Sequence, residues 1–410
     1  MKRALEGIRV IDMSHVLAAP MTTMFLADLG AEVIHVEPPH GDDSREYGPF
    51  VGTPDKNHSG YFISLNRNKK SLVLNLKLEK GKEILRELIR NGDVLVENFR
   101  PSTMEKMGFG WEALQKLNPR LIYAAISGFG HDSPPEYAVR PSYDIVAQAY
   151  SGLMSITGPV GGPPCRVGTS VGDIISGQQA VIGILAALAY REKTGRGQFY
   201  DGSMVDGLFA ILESAVARYT ISGEIPGPLG GAHPSITPFE AFKTRDSWVI
   251  VAAGNNQLWA KLCRILNRED LIEDSRFASN HLRTQNQRQL SEILTGELIA
   301  KTTGEWIEIF EKQDIPYSRI NNMKEICEDP IIGHRNMLVN VEQPHVGSVR
   351  IAGSPIHLSE TPGRVEKPAP RLGEHSEEVL RTVLGYDSAK IAALKEEGVV
   401  IQEAASSGSR

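Results

Sequence analysis

The chain has 410 residues, 41% of them hydrophobic and 23% charged, which is more than one ordinary core accommodates, so two domains are expected. Its net charge of -6 gives no support to a nucleic-acid partner. No run of about 18 apolar residues free of charged or polar interruption marks a membrane span. Three cysteines, Cys165, Cys263 and Cys327, are odd in number and far apart. They argue for a reducing, cytoplasmic setting and against a disulfide framework or a metal site. The opening MKRALEGIRVIDMS runs directly into a strand pattern, with no room for a targeting peptide. The last residues, Ala404 to Arg410, are expected to be disordered.

In chain order, Arg9–Met13 reads as a buried strand, Pro20–Leu29 as a helix stopped by Gly30, and Glu32–Glu37 as a second strand. Glu37 ends that strand as a ribose-binding acid does in dinucleotide folds. The connecting loop SHVLAAP lacks the glycine fingerprint, however, so NAD is not expected. A loop rich in Pro, Gly, Asp and Asn follows, long enough to be a lid or to be ordered by a partner surface. The basic stretch Asn66–Lys70 (NRNKK) is either a solvated turn or a phosphate patch with Lys77, Arg100 and Lys106. Alternation then continues with a strand at 71–76, a helix at 79–91, a strand at 93–99, a helix near 102–117 and a strand at 121–126. This is an α/β pattern, a parallel sheet covered by helices on both faces, whose ligands bind beyond the C-terminal strand ends. Those ends carry His15-Val16-Leu17, Asn98-Phe99-Arg100 and Ser127-Gly128-Phe129-Gly130.

The stretch from Val167 to Gln198 places Gly172-Asp173 where a small-residue segment enters a long helix, apolar on nearly every face from Ile174 to Tyr190. Such a helix belongs in a core. Asp173 lies at its N-terminal end, where it is either a structural cap or a nucleophile. An ordinary carboxylate, with a pKa of about 3.9, is ionised at neutral pH and needs no general base. Position alone leaves both readings open. After a strand at 198–201 and a helix at 205–219, Ser222–Pro238 is dense in Gly and Pro, as in a linker or an active-site loop. Strands at 240–244 and 248–252 and helices near 257–266, 289–301 and 304–313 suggest a smaller α+β domain. A hairpin pattern and two helices, 376–384 and 388–396, end the chain.

The segments GIRVIDMSHVLAAP, LGAEVIHVEPPHGDDSR, NRNKKSLVLNLK, DVLVENFRPSTMEKMGFGWE, YDIVAQAYSGLMSITG, VGDIISGQQAVIGILAALAYREKTGRGQ, PFEAFKTRDSWVIVAAGNNQLW and RLGEHSEEVL occur in this order. Over essentially its whole length the chain resembles the class III CoA-transferases, the formyl-CoA transferase and carnitine dehydratase-related family. The resemblance implies a Rossmann-like large domain (residues 1–220, completed by 331–410), a small α+β domain (221–330) and an interlocked homodimer. It implies coenzyme A, as acyl-CoA, for a substrate and Asp173 for the nucleophile. Asp173 would carry first the acyl group as a mixed anhydride and then CoA as a thioester. Backbone N–H groups at the helix start, or of the loop Leu229-Gly230-Gly231, would stabilise the oxyanions.

The same resemblance assigns Val16 and Leu17 to the CoA and active-site loop, with Leu17 standing where several members have Gln. Leu74, Asn75, Lys77, Asn98, Phe99, Arg100 and Lys106 match segments holding the adenosine and phosphates of CoA. Arg140, Tyr143 and Asp144 match a segment lining the nucleotide and reaction site, although Tyr143 reads equally as a core tyrosine. The segments GNNQLWAKLC, INNMKEI and VEQPHVGSV look closest to members acting on succinyl-CoA and dicarboxylates. A distal carboxylate calls for an arginine fork, and Arg45 and Arg166 are the candidates; a surface pairing with Asp42 or Asp43 is the other reading of Arg45. Two alternatives share the fold. The α-methylacyl-CoA racemases place a His before the Asp matching Asp144, where this chain has Tyr143, a poor base near neutral pH. An inert CoA-binding subunit of a hetero-oligomer would have no need of Asp173.

Overall fold

On β1 (Arg9–Asp12), Val10 and Ile11 are both fully buried although successive strand residues point to opposite faces. The computed structural model, which describes residues 3–52 and 58–402, shows why. Ile11, Ile34 and Leu95 pack under one layer of helices, and Val10, Val33, Val94 and Val96 under another. Ala404–Arg410, expected to be disordered, lie outside the described residues.

The elements that build this sheet are α1 (Ala18–Asp28), β2 (Glu32–Glu37), β3 (Lys70–Leu74), α2 (Glu79–Arg90), β4 (Val94–Glu97) and β5 (Ile122–Ser127). They continue with α3 (Asp144–Tyr150), α4 (Val171–Thr194) and β6 (Phe199–Ser203). The strand order is β3-β2-β1-β4-β5-β6, all parallel, with the short strand Val400–Ile401 antiparallel on the outer edge of β3. This is a doubly wound sheet, and its order reverses between β1 and β4. The helix expected near 102–117 is two helices, Thr103–Met107 and Trp111–Leu117, because Gly108 ends the first in the left-handed region (φ 87°).

By its contacts the chain divides into two units. The first comprises 1–153, 167–214 and 330–410; the second comprises 154–166 and 215–329. The sequence division put 154–166 in the large domain, whereas in the fold they join the second unit. That unit has its own antiparallel sheet, in which β8 (Trp248–Ala252) runs between β7 (Phe239–Lys243) and β9 (Tyr317–Arg319). Its core gathers Phe242, Trp259, Trp306 and Phe310.

Two expectations need correction. The helix α4 is not buried all round: Gly172, Ser176, Gly177, Ala180, Val181, Ile184 and Leu188 face inward, while Ile182 is 68% exposed and Leu185 lies at the surface. With a mean hydropathy of 1.5 over its most apolar window it is long and apolar enough to cross a membrane. Here its small-residue face lies against α1 and the sheet. A Cβ on Gly177 would come 2.6 Å from the Ala18 carbonyl oxygen, and the Thr22 hydroxyl donates to the Gly177 carbonyl at 3.0 Å. Glycine at 177 is therefore what lets the start of α1 reach the first turns of α4.

The second correction concerns Asn66–Lys70, which is neither a solvated turn nor a phosphate patch. Asn66, Arg67 and Lys69 are buried. Arg67 grips Asp28 through two nitrogens, at 2.7 and 3.1 Å, and donates to the Ala352 carbonyl at 2.8 Å. Lys69 contacts Asp12 at 3.1 Å, and Lys70 pairs with Glu32 and Glu378. Removing one partner of a buried ion pair strands the other charge, at a cost of about 3–5 kcal/mol. Arg67→Met is accordingly expected to lower unfolding free energy by about that amount in urea titrations, while leaving CoA affinity unchanged. A selective loss of CoA affinity would restore the phosphate reading.

Candidate active site

The reversal of strand order leaves the loops after β1 and β4 side by side. Asn98 fastens them: its Oδ1 accepts from the His15 N–H at 2.7 Å, and its Nδ2 donates to the His15 carbonyl at 2.8 Å. The His15 ring meets Phe99 edge-on, with centroids 5.0 Å apart. Beyond this clasp a cavity of about 520 Å³ is bounded by His15–Ala18, Asn98–Pro101, the end of β5, Arg140–Tyr143 and Asp173. A second cavity, of about 670 Å³, shares His15, Pro38, His40 and Phe99 as walls. Its rim carries Lys77, Lys82 and Lys106, over an apolar lining that includes Met13, Val36, Leu74 and Met107.

Asp173 lies in the first turn of α4 but is not its cap, because Ser170 holds that position. Three of the helix-start donors expected to serve an oxyanion are engaged within the protein. Val171 N–H donates to the Thr169 carbonyl at 2.9 Å, Gly172 N–H to Asp144 Oδ1 at 2.8 Å, and Ile174 N–H to the Ser170 carbonyl at 3.0 Å. A Cβ on Gly172 would stand 3.1 Å from that same Asp144 oxygen, so glycine permits the approach. Asp144 is buried and also accepts from Gln148 Nε2 at 2.7 Å. Among the described residues no hydrogen bond reaches the Asp173 carboxylate. Burial, and then the Asp144 charge, push its pKa up to about 7, in place of the ordinary carboxylate value expected from sequence.

The structure sorts the anticipated residues into three groups. Val16, Leu17, Asn98, Phe99, Arg100, Arg140 and Tyr143 line the cavity that holds Asp173. Leu74, Asn75, Lys77, Phe99 and Lys106 line the second cavity. Asn98 spends its amide on His15, which makes it a tie between loops. Tyr143 is 78% exposed, which removes the core-tyrosine reading. Arg45 lines neither cavity. It forks onto Glu37 at 2.7 and 2.8 Å, lies 3.7 Å from the Phe62 ring centroid, and is thus spent on an acid other than the Asp42 or Asp43 considered above. Glu37 lines the second cavity, with its carboxylate engaged by Arg45 and Ser71. Its burial opposes ionisation, but Arg45, His35 and Ser71 outweigh that and bring its pKa down to about 2. Arg166, Gly230 and Gly231 belong to the second unit, where Gly230 N–H donates to the Gly158 carbonyl.

Some site residues escaped sequence reasoning. Tyr47 lines the Asp173 cavity, and its ring meets Tyr61 edge-on at 5.8 Å. Burial and the Asp173 charge raise the Tyr61 phenol to about 12. Both tyrosines lie in the long loop read as a lid, and the glycines beside them (EYGPF, SGYF) are the signal that could have singled them out. Lys82 sits on the polar side of an amphipathic helix and carries no such mark.

The raised pKa of Asp173 has a consequence for stability. A carboxyl that binds its proton more tightly folded than unfolded contributes fully below its unfolded value, near 4. That contribution is lost as pH rises through about 7. Asp173→Asn removes the ionisation. The variant is expected to match the parent in Tm near pH 4 and to exceed it at pH 8. The gain at pH 8 should reach a few kcal/mol of unfolding free energy, at about 1.4 kcal/mol per pKa unit. Equal Tm values at both pH values would show an unperturbed carboxyl.

Comparison with known proteins identifies the family. The profile of CoA-transferase family III matches residues 5–376. The chain is 41% identical to the human succinyl-CoA:glutarate CoA-transferase over 402 residues, covering 98% of this chain and 90% of that protein. It is also 41% identical to the acetyl-CoA:oxalate CoA-transferase of Acetobacter aceti, covering 91% of this chain and 94% of that one. The crystal structure of a CAIB/BAIF family protein from Brucella suis superposes with a TM-score of 0.83 at 33% identity, over 93% of this chain and 100% of that one. The chain belongs to CoA-transferase family III.

Proposed function

We propose that this enzyme moves CoA from succinyl-CoA, or a related short acyl-CoA, to a small dicarboxylic acid, with Asp173 as the covalent carrier. The carrying observation is the Asp173 carboxylate, reached by no hydrogen bond among the described residues, in a cavity that shares a wall with an apolar-lined second cavity carrying Lys77, Lys82 and Lys106. The human and Acetobacter aceti relatives are named for different donors, but glutarate and oxalate are both dicarboxylic acids. That supports a dicarboxylate acceptor.

In this mechanism the Asp173 carboxylate attacks the thioester carbonyl, expelling CoA thiolate and leaving an acyl-aspartyl anhydride. The thiolate returns to the aspartyl carbonyl and releases the donor acid, giving aspartyl-CoA. The acceptor carboxylate attacks that thioester, forming a second anhydride, and the thiolate then attacks the acceptor's carbonyl to leave as the new acyl-CoA. A carboxylate with its pKa near 7 is a stronger base, and so a stronger nucleophile, than one at 3.8. Lys77, Lys82 and Lys106 give the second cavity the charge that CoA phosphates need, and Leu74 with Met107 the apolar surface for its base. Arg140, four residues before Asp144, replaces Arg45 as the candidate for the distal carboxylate. A homodimer is part of this reading, supported by Ile182, Leu185, Phe209 and Ile211, large apolar side chains left exposed on the first unit. A cytoplasmic location is supported by three free thiols.

The proposal is tested at Asp173 and at Arg140. Asp173→Asn should cut turnover by about a thousandfold or more, with CoA affinity kept, and hydroxylamine added after the donor should modify Asp173 alone. Modification of another carboxylate would relocate the nucleophile. In the parent, kcat/KM for the donor should fall about tenfold per pH unit below about 7, as Asp173 takes up its proton. Arg140→Ala should raise KM for a dicarboxylic acid about tenfold or more, and barely change it for a monocarboxylic acid of the same length. Equal effects on both acids would exclude Arg140 from that role.

A further inference from the structure

Val16, on the wall of the Asp173 cavity, has a backbone φ of 65°. For a β-branched residue this is a strained conformation, one that persists only where its surroundings over-determine it. Its N–H is held by Asp42, whose two carboxylate oxygens lie 3.2 and 3.4 Å away. On either side, His15 is clasped by Asn98, and Leu17 N–H turns back to the His15 carbonyl at 3.0 Å.

Asp42 is buried, and behind it stands His35 on β2, wholly buried as well. His35 Nε2 is 3.7 Å from Asp42 Oδ2, and Nδ1 is 3.3 Å from Asp12 Oδ2. Neither ring nitrogen makes an aligned hydrogen bond. A neutral ring would therefore leave two buried nitrogens without partners, whereas an imidazolium is attracted to both carboxylates. The groups around it come from several elements. Asp12 is on β1, His15 on the following loop, and Glu37 on β2 itself, while Lys69 stands just before β3. Phe62 presents its ring at a centroid distance of 6.4 Å. Glu37 is paired with Arg45 and Asp12 with Lys69. Among these charges the acids Asp12, Glu37 and Asp42 outnumber the cations Lys69 and Arg45 by one, and one proton on His35 closes the balance.

We propose that His35 is a positioning residue for the transferase reaction: as an imidazolium it holds Asp42 in place as the acceptor for the Val16 N–H, and so holds the β1–α1 loop in its strained form beside Asp173. Burial and Lys69 work to lower the affinity of His35 for its proton. Asp12 and Glu37 outweigh them, so the net shift is upward. The ring acts through Asp42 and Val16 and touches no cavity that substrate would enter.

The role in turnover rests on the transferase reading, but the protonation state does not, and the two are read separately. Nitrogen-15 NMR of the parent enzyme labelled in histidine, with the His35 signals identified by their loss in His35→Gln, should show both ring nitrogens protonated at pH 7.5. Asp42→Asn, which retains an oxygen for the Val16 N–H, should shift that ring to the neutral form. In activity assays His35→Gln is expected to lower kcat about tenfold while KM for acyl-CoA changes less than twofold. In a Val16→Gly background, where a positive φ carries no strain, the same substitution should lower kcat less than twofold. A neutral His35 in the parent at pH 7.5 overturns the proposal, and so does an equal loss of kcat with and without the Val16→Gly change. If Asp173→Asn stayed active, the transferase mechanism would fall while the NMR result stood.

Discussion

Two hydrogen bonds from one amide hold this site open. Strand order reverses between β1 and β4, so the loops that leave them diverge, and the crevice between them needs a tie. Asn98 supplies it by exchanging both kinds of hydrogen bond with the His15 backbone. The tie is fixed from below as well. Glu97 accepts from the Phe99 N–H at 2.5 Å and from the Tyr123 hydroxyl at 2.7 Å, which seats the β4 loop on the sheet. With His15 and Phe99 held edge to face, the two cavities acquire a common wall. An extended substrate with a reactive end and a phosphorylated end can then span both.

Inside the first unit, burial acts on several carboxylates and their neighbours decide the outcome. Glu37 is almost entirely buried, yet the Arg45 fork brings its pKa down to about 2. Asp173 is less buried, and the neighbour that matters is another acid; its pKa rises to about 7. Coulomb interactions at contact distance in a poorly polarisable interior exceed the difference in desolvation between the two sites. Asp173 is thus left basic and reactive in the same unit as Glu37, which its partners hold as an anion. Asp144 contributes twice, by occupying the Gly172 N–H that would otherwise favour an anion and by adding its own negative charge nearby.

Much of the architecture was legible because it rests on local periodicity. The strands 9–12, 32–37 and 248–252 and the helices 376–384 and 388–396 follow from apolar spacing and from Gly or Pro at their ends, which depend only on neighbours in sequence. Asp173 at the start of a long helix was equally visible, and so were the cations Lys77, Arg100 and Lys106, whereas Arg140 was singled out only by the family resemblance. What failed was the assignment of charges to partners. Asn66–Lys70 looks solvated because its composition is basic, yet Asp12, Asp28 and Glu32, some forty to sixty residues earlier, draw it inside.

Local rules were enough to specify the alternation of strands and helices, the division into an α/β unit and a smaller one, and the presence of an acid at a helix start. Those features are set by side-chain period, by backbone allowances of Gly and Pro, and by burial of apolar faces, all of which act over a few residues. It took the packed chain to establish that Arg45 meets Glu37 and not a substrate, that α4 buries one face, and that Asp173 keeps its proton to about pH 7. Electrostatic energy depends on distance in space and on exclusion of water, and neither quantity is a function of separation along the chain.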